Sequence, residues 1–145
     1  MNATIEKFGW PGTLVREWDH WVLLARPSQP TLGSVILAAK GEATAFGALP
    51  AGAHAELATI TPALEGALSR AVDYGRINYL MLMMVDPYVH FHVIPRYEGT
   101  REWNGREFVD IGWPKVPDLG HAIALEGEEL AGLVEWLKGF FPAGS

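Results

Sequence analysis

Short apolar runs bounded by turn residues predict three strands in the first part of the chain. They cover residues 13–18, 20–25 and 34–40, with a tight connection near Asp19 between the first two. Residues 26–33 contain two prolines and a glycine, which is typical of a loop. This pattern predicts two neighbouring strands, a loop and a third strand.

A helical spacing follows these strands. Apolar residues recur there at intervals of three or four positions: Leu57, Ile60, Leu64, Leu68 and Val72. We expect a helix over residues 53–74 that ends at Gly75. Because proline lacks a backbone N–H, Pro62 predicts that the helix starts or kinks there, with Thr61 as its N-cap. Residues 126–141 predict a second, amphipathic helix with acidic residues in its first turn.

The region between the two helices predicts further strands. Residues 78–85 are apolar at nearly every position, which is typical of a buried central strand. A turn at 86–87 then leads into an antiparallel partner over 88–96. The Asn104-Gly105 pair predicts a second hairpin with a type I′ turn. We therefore expect one α+β domain over residues 1–145, with a mostly antiparallel sheet, one main helix and a C-terminal helix.

Composition narrows the functional classes. The 145-residue chain is 49% hydrophobic and 19% charged, with a net charge of −6, which argues against a broad nucleic-acid or anionic-membrane surface. No apolar run approaches the roughly 18 residues needed to span a bilayer, and the N-terminus lacks the pattern of a secretory signal. There is no cysteine, so thiolate chemistry is excluded. We expect a cytoplasmic protein without membrane or nucleic-acid partners.

Two histidines provide the candidate chemistry. His90 and His92 lie in the predicted strand 88–96, so they share one face with Tyr88 and Ile94. The apolar residues between them point the other way, towards a core. Burying two imidazoles together costs free energy unless a function uses them.

Three uses of the pair are chemically reasonable. Two histidines separated by one residue on a strand can supply two ligands to Zn²⁺, although a metal site needs further ligands. They can act as general acid and base beside a separate nucleophile. One of them can attack phosphorus while the other holds the phosphoryl oxygens or the leaving group.

The stretch YVHFHVIPR resembles the signature of the histidine triad family, in which three histidines alternate with apolar residues and Pro-Arg often follows. Tyr88 occupies the first histidine position, His90 the middle one and His92 the last. The family also has the same order of elements, which is a helix, a strand beginning here at Asn78, and the signature strand. With residues 30–40, which are similar to an earlier strand of the family, the resemblance covers roughly residues 13–115.

The resemblance implies a hydrolase or transferase that acts on the α-phosphate of a nucleotide. His90 would attack phosphorus and form a nucleotidyl-histidine intermediate, and His92 would contact the phosphate or the leaving atom. Asn78 resembles an asparagine that lies near the nucleotide. The resemblance also implies a homodimer. On this interpretation we expect no cofactor and assign no residue as a metal ligand.

The chain departs from the family pattern at positions that matter for ligand binding. Tyr88 replaces the first histidine and can donate a hydrogen bond but cannot become a cation. The loop 26–33 has no acidic residue to hold a ribose, and Gln29 is the weak substitute that it offers. Arg96 can contact phosphate or pair with a surface carboxylate. Two alternatives therefore remain: a nucleotide-binding protein with little catalysis, and a metal-dependent hydrolase that uses His90 and His92.

Overall fold

The computed structural model describes residues 1–142. Its helices are α1 (Ala3–Lys7), α2 (Ala51–Val72) and α3 (Gly127–Lys138), with a short 3₁₀ turn at Phe46–Ala48. Its strands are β1 (Leu14–Glu17), β2 (Trp21–Ala25), β3 (Ser28–Gln29), β4 (Val35–Ala39), β5 (Arg76–Leu80), β6 (His90–Arg96), β7 (Thr100–Trp103), β8 (Arg106–Val109) and β9 (Ile123–Ala124).

The main sheet has five antiparallel strands in the order β1-β2-β4-β6-β5. The other four strands form two small pairs, β3 with β9 and β7 with β8. The β7–β8 hairpin turns at Asn104 and Gly105, whose φ angles of 54° and 74° fit the predicted type I′ turn. The predicted α+β class, with a mostly antiparallel sheet and two principal helices, is confirmed.

The two faces of the main sheet are covered by different parts of the chain. One face carries the larger core, to which α2 and α3 contribute their apolar faces. The opposite face has a smaller core made of Val22, Leu24, Ile36 and Ala38 of the sheet and Ile5 of α1. Phe8 and Trp10 pack against this smaller core. Residues 2–10, which we call the N-terminal cover, therefore close the second face.

The prediction of a buried central strand over residues 78–85 is wrong. Strand β5 ends at Leu80 and lies at the edge of the sheet, where its only partner among residues 1–142 is β6. Beyond it the chain leaves the sheet, and the side chains of Met84 and Val85 are 81% and 86% exposed. The apolar residues on both faces thus led to a wrong prediction, because they belong to an edge strand and the loop that follows it.

The main helix also differs from its prediction at one point. Helix α2 runs without interruption through Pro62, which faces solvent, and its N-cap is Pro50. The Thr61 hydroxyl donates to the Leu57 carbonyl at 2.9 Å inside the helix, so Thr61 is not an N-cap. The helix ends close to the predicted residue, with Asp73 in the left-handed conformation. Among residues 1–142, no helix combines the length and the apolar character needed to cross a bilayer.

Candidate active site

His90 and His92 lie side by side on β6, an interior strand of the sheet between β4 and β5. In β6, His90 pairs with Ala38 and His92 pairs with Ile36 of β4. The two imidazole rings are on the same face, with their centroids 5.1 Å apart at an angle of 72°. A strand with hydrogen-bonded neighbours on both sides is a rigid support, so the relative position of the two rings is well fixed.

The His90 ring is oriented by a backbone carbonyl. Its Nδ1 lies 2.7 Å from the Tyr88 oxygen, and because a carbonyl only accepts hydrogen bonds, Nδ1 carries the proton. When the ring is neutral, Nε2 is then the unprotonated nitrogen. This Nε2 is buried and has no hydrogen-bond partner among residues 1–142. His90 therefore presents a lone pair that the described protein does not use.

His92 is held in its neutral form. Burial, followed by the nearby charges of Arg26 and His90, lowers its pKa from 6.5 to about 4, against an opposing effect of Asp86. Its Nδ1 is buried without a partner within residues 1–142. At neutral pH the ring can donate one hydrogen bond but carries no charge.

The N-terminal cover encloses both imidazoles. The Phe8 ring lies 5.8 Å from the ring centroids of both histidines. Ile5 is fully buried in the small core with Ile36 and Ala38, and His90 and His92 are only 1% and 8% exposed. The candidate site is therefore closed in this conformation.

Polar contacts tie the cover to the sheet and to the loop before β6. The Asn2 amide donates to the carbonyls of Ala39 and Gly41 at 3.0 and 2.6 Å. The Lys7 ammonium forms an ion pair with Asp86 at 2.6 Å. These contacts lie at or near the protein surface, where an ion pair adds about 0–1 kcal/mol, so most of the closure depends on apolar packing.

Two of the predicted substrate-binding residues form a structural network instead. The Arg96 guanidinium makes two hydrogen bonds to the buried Asp110 carboxylate, at 2.7 and 3.1 Å, and donates to the Asn78 side-chain oxygen at 2.8 Å. Its charge is thus already balanced, by a buried carboxylate rather than the surface one considered from the sequence. Asn78 and Arg96 line a cleft of about 1060 Å³ beside β5, together with Trp113, and this cleft contains neither histidine.

The other two predicted substrate-binding residues, Gln29 and Tyr88, also make local structural contacts. The Gln29 amide donates to the carbonyls of Arg26 and Ser34 and accepts from the N–H groups of Gly33 and Ser34, so it holds the 26–34 loop together. Because its polar atoms are engaged, we no longer assign it to a ribose. Tyr88 contributes its backbone: its carbonyl orients His90, and its N–H lies 3.4 Å from the Thr4 hydroxyl.

Sequence reasoning missed Phe8 and Arg26 at this site. Arg26 follows Leu24 by two positions, and the strand period places it on the histidine face. This signal was available in the sequence. The contact of Phe8 depends on how residues 2–10 return over the sheet, which no local pattern indicates.

Solved structures of histidine triad proteins match nearly the whole chain. One from Bradyrhizobium japonicum is 15% identical, with a TM-score of 0.69, over 98% of this chain and 97% of that one. One from Sinorhizobium meliloti is 19% identical, with a TM-score of 0.69, over 97% and 96%. A hypothetical histidine triad nucleotide-binding protein from Sulfolobus tokodaii is 17% identical, with a TM-score of 0.67, over 94% and 88%.

This chain has the histidine triad fold. No protein-family profile and no curated protein matches the sequence, so the likeness to histidine triad proteins is one of structure. The resemblance inferred from YVHFHVIPR is confirmed at that level. Within the histidine triad fold, His90 and His92 lie on β6, the strand next to the edge strand β5, and residues 2–10 lie over them.

Proposed function

We propose that this protein is a histidine triad hydrolase or transferase that acts on the α-phosphate of a nucleotide conjugate, with His90 as the nucleophile. The substrate class is a nucleoside phosphoramidate or a dinucleoside polyphosphate. The observation that carries the proposal is the hydrogen bond from His90 Nδ1 to the Tyr88 carbonyl, which leaves a lone pair on the buried Nε2. The likeness to a protein described as nucleotide-binding supports the choice of ligand.

In the proposed reaction, His90 Nε2 forms a bond to phosphorus as the bond to the leaving group breaks and its electron pair departs with that group. The carbonyl of Tyr88 stabilises the positive charge that develops on the imidazole, because Nδ1–H already points at it. Neutral His92 donates a hydrogen bond to a phosphoryl oxygen or to the leaving atom. Water or another acceptor then attacks the nucleotidyl-histidine and restores the free imidazole.

Substrate entry requires the N-terminal cover to open. The two imidazoles are buried, and Phe8 lies over both of them, so a phosphate reaches Nε2 only after this segment moves. The apparent affinity for a ligand falls in proportion to the fraction of molecules that are open. Once the substrate is bound, a closed cover would exclude water from the reacting phosphorus.

A comparison of variants tests the proposal directly. Turnover of a nucleoside 5′-phosphoramidate and of a diadenosine polyphosphate is measured for the wild type, for His90→Asn and for His121→Asn. His121 is an exposed histidine in hydrogen-bond contact with Asp118, so it is the matched control. We expect His90→Asn to lose at least 100-fold in kcat and the control to keep wild-type turnover. Equal turnover in all three proteins would end the proposal.

A nucleotide-binding protein with little catalysis is the second candidate. The closed cover and the tyrosine at position 88 favour it. It predicts affinity for a nucleoside monophosphate without a covalent intermediate. A phosphorylated or nucleotidylated His90 during turnover would exclude it.

We do not propose the metal-dependent hydrolase. Within residues 1–142, no group of three or more histidine, aspartate or glutamate side chains could hold a metal ion, so His90 and His92 lack a third ligand. The proposed reaction uses no cofactor.

We also propose that the chain forms a cytoplasmic homodimer. Strand β5 pairs only with β6, which leaves its other edge unpaired within the described residues. The exposed side chains of Leu82, Met84 and Val85 follow directly after it. An open edge beside an apolar surface needs a partner, and a second copy of the chain would supply one. Light scattering at micromolar concentration distinguishes a dimer from a monomer.

A further inference from the structure

We propose that Arg26 binds a second phosphate group of the nucleotide ligand, other than the phosphate that His90 attacks. This inference rests on the proposed function, because it assigns a specificity-determining residue to the same site.

Arg26 belongs to the same face of the sheet as the two histidines. It directly follows β2, and its N–H donates to the Ser34 carbonyl at 3.1 Å, which extends the β2–β4 pairing by one step. Leu24 and Val22, two and four positions earlier, lie in the small core beneath the N-terminal cover. The period of two therefore directs Arg26 to this face.

No carboxylate among residues 1–142 balances the charge of Arg26. The ion pairs within residues 1–142 include no carboxylate for this guanidinium. Its Nη1 donates to the Ser28 carbonyl at 2.6 Å, while its Nε is buried and without a partner among the described residues. Burial lowers the pKa of Arg26, which is the mark of a cation that lacks a compensating anion. By contrast, Arg96 on the same face is fully paired with Asp110.

Two further unpartnered imidazole atoms lie on this face, in addition to Nε1 of Trp10, which also has no partner among residues 1–142. Nε2 of His90 and Nδ1 of His92 are buried without hydrogen-bond partners among residues 1–142, and both side chains are more than nine-tenths buried. A protein interior rarely leaves buried polar groups unpaired, and three such groups together indicate a ligand that pairs with them. The ligand must be anionic where it meets the guanidinium.

The strand register separates Arg26 from the site of attack. His90 lies in one row across the sheet with Ala38, and His92 in the next row with Ile36. Arg26 lies in the row beyond, opposite Ser34. Each row is about 7 Å further along the strands, so Arg26 is one row from His92 and two rows from His90. We therefore assign Arg26 to a different anionic group from the one that His90 attacks.

A guanidinium fits a phosphate group well because it can donate two parallel hydrogen bonds to it. The second phosphate can come from the polyphosphate chain of the ligand or from a phosphorylated ribose. Both sources present an anionic phosphoryl group. Ligands that carry the second phosphate at different positions distinguish them.

The test uses the full chain with His90→Asn, which binds ligands without turnover. Calorimetry measures the affinity for AMP, ADP and adenosine 3′,5′-bisphosphate in that protein and after the further changes Arg26→Met, Arg26→Lys or Arg106→Met. Arg106 is an exposed arginine paired with Glu129, so its replacement is the matched control. Urea titration identifies any variant whose affinity changes because it no longer folds.

We expect ADP or the bisphosphate to bind roughly 10- to 100-fold more tightly than AMP when Arg26 is present. Arg26→Met should abolish this preference with little change for AMP, Arg26→Lys should keep part of it, and Arg106→Met should keep all of it. Which of the two ligands shows the preference identifies the source of the second phosphate. An unchanged preference in folded Arg26→Met, or an equal loss for all three ligands, would overturn the assignment.

The outcome is separable from that of the proposed function. A preference that depends on Arg26 in a protein whose wild type forms no His90 adduct supports the assignment and contradicts the catalytic proposal. An adduct on His90 without such a preference supports the catalytic proposal and contradicts the assignment of Arg26.

Discussion

Replacing Phe8 by alanine should open the candidate site. Phe8 makes one aromatic contact with each imidazole, both at 5.8 Å between ring centroids. An aromatic pair contributes about 0.5–1.5 kcal/mol beyond its area burial, so the two contacts together contribute about 1–3 kcal/mol to the closed form. Since 1.4 kcal/mol corresponds to a factor of ten, the open fraction should rise roughly 5- to 150-fold.

Carbethoxylation by diethyl pyrocarbonate at pH 7 measures this opening, because the reagent modifies unprotonated imidazoles that solvent can reach. Trypsin releases residues 77–96, which contain His90 and His92 and no other histidine. The modification rate of this peptide, followed by mass spectrometry, should rise with the open fraction. His121, with its side chain 68% exposed, is the internal reference and should react at an unchanged rate.

Phe46→Ala is the matched control for Phe8→Ala. Phe46 contacts Phe91 and His54 on the opposite face of the sheet, so its loss should leave the rate for residues 77–96 unchanged. A urea titration of each variant separates local opening from global unfolding. If Phe8→Ala and the wild type react at equal rates, the N-terminal cover does not control access to the histidines.

Two further predictions concern stability. The pKa of His92 falls from 6.5 to about 4 on folding, so the unfolded chain binds more protons than the folded protein between these pH values. The free energy of unfolding should therefore be highest above pH 6.5 and should decline by about 3 kcal/mol towards pH 4. Urea titrations across this range should show the decline in the wild type and a smaller one in His92→Gln; equal declines would contradict the assignment. Asp110→Asn should cost about 3–5 kcal/mol because it leaves Arg96 buried without its partner, whereas Glu129→Gln at the exposed Arg106 pair should cost less than about 1 kcal/mol. Similar losses in both variants would show that burial does not set the strength of the Arg96 pair.

The parts of the fold that sequence patterns predicted are those where local and tertiary preferences agree. Asn104 and Gly105 adopt the positive φ angles that the type I′ turn requires, and the strand on each side follows. The alternation of His90, Phe91 and His92 places the rings and the apolar side chain on opposite faces, as observed. In both cases neighbouring residues alone carry the information.

The parts of the fold that were predicted wrongly depend on long-range packing. Helix α2 continues through Pro62 because that position faces solvent, where the missing N–H disturbs no buried contact. The buried face of the helix also extends on both sides of Pro62. Residues 81–85 are apolar without being a central strand, since nothing local distinguishes a buried strand from an edge and its loop. The five-residue helix α1 is too short for a periodic signal and is held by its contacts with the sheet.

The sequence predicted that the two histidines of the candidate site lie side by side, but it did not predict the contacts of the residues around them. The positions of His90 and His92 relative to each other follow from strand geometry. The pairing of Arg96 with Asp110, the local role of Gln29 and the position of Phe8 all require the folded chain. The sequence therefore predicted the two histidines of the candidate site, and the structure supplied their surroundings.

The most direct test of the central claim is to trap the covalent intermediate. Protein is mixed with a nucleotide conjugate labelled at the α-phosphate, quenched in alkali after less than one turnover, and digested for mass spectrometry. We predict a nucleotidyl group on residues 77–96 at His90, stable in alkali, lost in acid and absent from His90→Asn. Full turnover with no label on His90, or with the label on another residue, would contradict the account.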